Sequence, residues 1–82
     1  MNKDYIVFHL SEASEELQRT LKEIQNDPEY DAEEFKVAME HLYNHVNTAW
    51  NARNSSVQST SELSDEDFEK WRQFPEDLDM SV

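Results

Sequence analysis

The chain has 82 residues, 19 acidic and 7 basic side chains, and a formal net charge of −12. It holds no cysteine and no glycine, which excludes disulfides, thiolate metal sites and the glycine-based nucleotide loops. So short a chain makes one domain with a thin stability margin; with no staples and no apolar run of ~18 residues, a soluble cytoplasmic protein is expected.

The N-terminal apolar run Tyr5 to Phe8 is too short for a signal peptide. Leu10, Ala13, Leu17, Leu21 and Ile24 then follow at spacings of 3, 4, 4 and 3. At about 100° per residue they form a stripe roughly 80° wide, so an amphipathic first helix is predicted. Ile6 extends the stripe towards a start near Tyr5, whereas Ser11 offers a later cap. The helix should end near Asn26, because Pro28 disfavours the α conformation at Asp27.

A second helix should begin at Asp31, with Glu34 three residues on as its capping partner. Phe35, Ala38, Met39, Leu42, Tyr43, Val46, Ala49 and Trp50 repeat at helical spacing. Their arc is about 140° wide, enough to pack on more than one neighbour. The short connection makes the two helices an antiparallel pair.

Asn54 to Ser61 reads as a polar linker. Ser64 with Asp67, flanked by Leu63 and Phe68, marks a short third helix with a cap and a hydrophobic staple. Pro75 stops it near Gln73. The prediction is all-α: an antiparallel hairpin of two long helices plus a short third. Residues 1–74 form one helical domain and 75–82 a flexible acidic tail. Two amphipathic helices leave apolar surface to cover, so dimerisation into a four-helix bundle is a reasonable expectation.

Charge is unevenly distributed. Residues 1–40 carry 11 acids against 4 bases and residues 62–82 carry 8 against 2, whereas His41 to Ser61 contain Arg53 alone. That neutral window is where burial or a partner costs least, because desolvating a charge costs more than desolvating an amide. Asn44, Asn47 and Asn51 lie within it at i, i+3 and i+7, on a stripe opposite the apolar arc. Asparagine is a mediocre helix former, so an outward contact surface of amides is one reading and a solvated face the other. On the outward reading, Asn44→Asp with Asn51→Asp should leave the fold intact, while Leu42→Ala opens a core cavity.

His41 and His45 stand one turn apart. A zinc-protease pattern needs Glu after the first His, where Leu42 stands; a di-iron bundle needs Glu three residues before a His, where Ala38 and Leu42 stand. Structural or surface histidines are the better reading. Trp50 is expected in the core; Trp71 has few apolar companions on its own helix and is a candidate contact residue. The acids read as solvated faces and as helix N-terminal charges, with no magnesium-binding spacing.

Three stretches, FHLSEASEELQRT, HLYNHVNTAWNARN and WRQFPEDLDM, resemble small, acidic, uncharacterised helical proteins of cyanobacteria. The resemblance implies a small all-helical fold in an intracellular setting and carries over no functional residue.

The expected function is a small acidic protein-interaction module, with regulation as one reading, working through the neutral face of the second helix. Asn44, Asn47, Asn51, His41 and Trp71 are its candidate contact residues. The expected partner is a protein, or a second copy, with no cofactor, nucleic acid or membrane. An acidic surface repels nucleic acid and speeds encounter with basic partners. The alternative is nucleic-acid mimicry, with carboxylates standing in for phosphates on a basic DNA-binding protein. A metal-dependent enzyme using His41 and His45 is a third reading, weakened by the want of a nucleophile–base pair.

Overall fold

The computed structural model describes residues Met1–Ser81 and contains four helices: α1 (Lys3–Asn26), α2 (Ala32–Asn51), α3 (Val57–Ser61) and α4 (Asp65–Trp71). There is no strand among the described residues. α1 and α2 form the expected antiparallel hairpin, and α4 packs on α2.

Local chemistry sets the boundaries. Asn2, not Ser11, starts α1: its side chain accepts from the Tyr5 backbone N–H at 3.2 Å. The Asn2 N–H also donates to the Arg53 carbonyl at 2.7 Å, tying the start of α1 to the chain just beyond α2. α1 stops at Asn26, ahead of Pro28. Asp27 Oδ1 then accepts from the Glu29 N–H at 2.9 Å, and Asp31 Oδ1 from the Glu34 N–H at 2.9 Å, so one carboxylate shapes the turn and the next caps α2. Ser64 caps α4 by accepting from the Asp67 N–H at 3.1 Å.

The expected linker contains a helical turn. Ser56 Oγ accepts from the Ser59 N–H at 3.0 Å and caps α3. Five residues are too few to show an apolar period, and the serine cap is the only local cue.

The hairpin seam differs most from expectation. Its buried residues are small or polar: Ala13, Glu16 and Thr20 on α1, and Ala38, Thr48 and Ala49 on α2. Small side chains bring helix axes close, and bulky ones are displaced to the flanks. The leucine stripe of α1 therefore lies beside the seam. Trp71 is the one large apolar side chain among the described residues that is buried, at 7% exposure.

Candidate functional site

Asn44, Asn47 and Asn51 do not point outward. Asn47 is 6% exposed, and Asn44 and Asn51 are half-buried. The reason is the end of α4. A helix leaves its last carbonyls without intrahelical partners, and α2 supplies the donors. Asn51 Nδ2 donates to the carbonyls of Trp71 (2.8 Å) and Gln73 (2.7 Å), and Asn47 Nδ2 to that of Arg72 (3.2 Å). The amide stripe is an internal clamp. Asn44 sits at its edge with a buried Oδ1 that has no hydrogen-bond partner.

The clamp seats Trp71, another candidate contact residue, in the interior. Tyr5 of α1 meets its ring edge-on at 6.0 Å, and Leu63 and Phe68 line the same small cavity. Phe68 shares its helix, but Tyr5 comes from α1, which a reading of α4 alone misses.

The acidic tail folds back on α2. Asp77 Oδ1 accepts from the Trp50 indole N–H at 2.8 Å, and Asp77 Oδ2 from Arg53 at 3.3 Å. The indole hydrogen bond leads in holding the Asp77 carboxyl below its usual range. The Arg53 guanidinium lies over the Trp50 ring, 3.7 Å from its centroid. Phe74 packs edge-on against Tyr43 at 5.6 Å. Between tail and helix is an apolar cavity of about 140 Å³, lined by Val46, Trp50, Pro75, Leu78 and Met80 among others. Trp50, expected in the core, is half-buried beneath this tail.

The histidines separate. His41 is exposed, with Nδ1 3.9 Å from the Glu16 carboxylate, which also pairs with Arg19. His45 turns to α1, where its Nδ1 lies 3.0 Å from His9 Nδ1. One imidazole donates an N–H there and the other accepts it, which requires a neutral acceptor. Burial, then the charge of His45, lowers the pKa of His9 against a smaller upward pull from Glu12. His9 was no candidate in the sequence; only the antiparallel register brings it to His45. No group of three or more His, Asp or Glu among the described residues is placed to hold a metal.

The leucine stripe of α1 faces outward. Leu10, Leu17, Leu21 and Ile24 of α1, with Phe35 and Val46 of α2, are exposed by between 43% (Val46) and 50% (Leu21). Ile6, Leu10, Val46 and Ala49 line one continuous apolar depression, which places the two stripes on the same side of the hairpin. No helix among the described residues is long and apolar enough to cross a membrane.

The chain matches no family model, no curated protein and no solved structure.

Proposed function

We propose that this protein is an acidic, non-enzymatic interaction module whose working surface is the apolar face shared by α1 and α2. One observation carries the reading. In a chain of net charge −12, six large apolar side chains stay about half exposed on a single face. Contiguous apolar patches beyond a few hundred Å² are uncommon on monomers and mark contact sites. Covering these side chains would add about 1 kcal/mol for each, half the value of full burial. The surrounding acids keep the protein soluble and leave the neutral face as the place of least desolvation cost.

The reading moves the contact surface from the amide side of α2 to its apolar side, since the amides already serve α4. His41 remains exposed but lies on the acidic side. Affinity capture with the wild-type chain and with Leu17→Lys/Leu21→Lys tests the proposal. The variant should stay helical by circular dichroism and lose the proteins that the wild type retains. Equal capture by both chains contradicts the assignment of the face.

A further inference from the structure

We infer that residues 74–80 are a detachable strap that covers the α2 edge of the apolar face, with Asp77 as its pin; this regulates the surface assigned above and rests on that reading. The first argument is how the segment is held. Residues 74–80 form neither helix nor strand. No backbone–backbone hydrogen bond among the described residues joins them to the rest of the chain. The Asn51 clamp reaches the Gln73 carbonyl, and beyond it the attachment passes to side chains. These are Phe74, edge-on to Tyr43, and the Asp77 carboxylate on the Trp50 indole and Arg53. Phe74 and Met80 stay mostly exposed. Ordering such a segment costs conformational entropy at every residue. It therefore sits at the low end of local stability and opens without the helices.

The second argument is charge. Between His41 and Ser61 the one formal charge is Arg53. Its guanidinium lies over the Trp50 ring, so it and the indole N–H offer donors side by side at the end of α2. Of the tail acids Glu76, Asp77 and Asp79, Asp77 meets both donors, while Asp79 accepts from Ser81. On a chain of net charge −12, an acidic segment meets least repulsion at an acid-free window and attraction at its single cation. The occupant of this corner is the chain's own tail.

The third argument is what the strap covers. It closes an apolar cavity of about 140 Å³ over Val46 and Trp50, with Leu78 in the wall. Leu78 also lines the depression on the hairpin face, beside Ile6, Leu10 and Ala49. One tail side chain thus belongs to both. With the strap released, the apolar surface runs on from Val46 across Trp50 to Tyr43. Tryptophan, tyrosine and arginine are enriched where contacts are strongest, and here one of each lies under or against the strap.

Contact quenching in the full chain tests the inference. The chain has no cysteine, so Met80→Cys takes a single bimane label, which tryptophan quenches on contact. Trp50 lines the cavity with Met80, whereas Trp71 is buried elsewhere. The label should be dim at first and brighten by about twofold or more when Asp77→Ala is added, with the helical spectrum unchanged. Acrylamide should likewise quench the emission of unlabelled Asp77→Ala more steeply than that of the wild type. Asp77→Asn keeps an oxygen for the indole N–H but drops the charge, so it should fall between the two. A label that is bright from the start, or that ignores Asp77→Ala, overturns the inference. Loss of helix together with the pin also overturns it, because the tail would then be part of the cooperative fold. The face is read separately, by Leu17→Lys/Leu21→Lys: unchanged capture there sinks the face whatever the label shows, so the two failures are distinct.

Discussion

The two sides of α2 have exchanged the roles their composition suggests. On one side Asn47 and Asn51 are spent inside the chain, donating to the carbonyls at and just beyond the end of α4. On the other, Phe35 and Val46 stay half exposed beside the leucines of α1. In so small a chain, a helix end needing donors can claim a polar face, while the apolar face waits for something larger. Polarity alone does not tell inside from outside.

The most forceful way to break the comparison is to empty the clamped side. Trp71→Ala removes the one large buried apolar side chain and should cost about 3–5 kcal/mol. Denaturant unfolding should show the loss, and a cost below about 1 kcal/mol would mean that α4 is not part of the fold. Asn51→Asp comes next. A carboxylate cannot donate to the Trp71 and Gln73 carbonyls and sets a charge against them, so about 2–3 kcal/mol should be lost. This reverses the expectation that Asp at Asn44 and Asn51 is harmless.

On the apolar side the effects should be smaller. Leu17→Ala deletes a half-exposed side chain and should cost about 1 kcal/mol or less. Leu42→Ala should cost more than Leu17→Ala, because Leu42 is the more buried of the two. A larger loss at Leu17 than at Leu42 would invert the assignment of flank and seam.

The smallest effect sharpens the seam itself. The pKa of His9 is lowered on folding, so the unfolded chain binds the proton more readily and stability rises with pH. The contribution is fully present above the unfolded value of about 6.5 and is lost as pH falls through it towards the lower folded value. The melting temperature should therefore fall between pH 7 and pH 5.5, and His9→Gln should flatten that segment. An unchanged slope in the variant would place the titration elsewhere.

Much of this fold was legible in the residues. Pro28, Asp31 and Ser64 act locally, through backbone restriction and side-chain acceptors, so the end of α1 and the starts of α2 and α4 follow from their neighbours. The short connection between the helices gave their antiparallel pairing, and periodicity located the apolar stripes. It could not say that alanines and threonines would make the seam, because a stripe shows which side of a helix is apolar and not which side wins the contact. The amide clamp was hidden for a related reason. Its acceptors lie 20 or more residues away in sequence, and no pattern within α2 announces them. Likewise the tail looked solvated until Trp50 and Arg53 were placed to bind Asp77.

The central claim, that α2 turns its amides inward and the hairpin its leucines outward, is tested most directly by native-state thiol labelling in a chain that has no cysteine of its own. Asn47→Cys should label slowly at every protein concentration, because the site is buried under α4. Leu17→Cys, at a half-exposed site, should label at nearly the free-thiol rate in dilute protein. Labelling of Asn47→Cys as fast as that of Leu17→Cys in dilute protein would contradict the account.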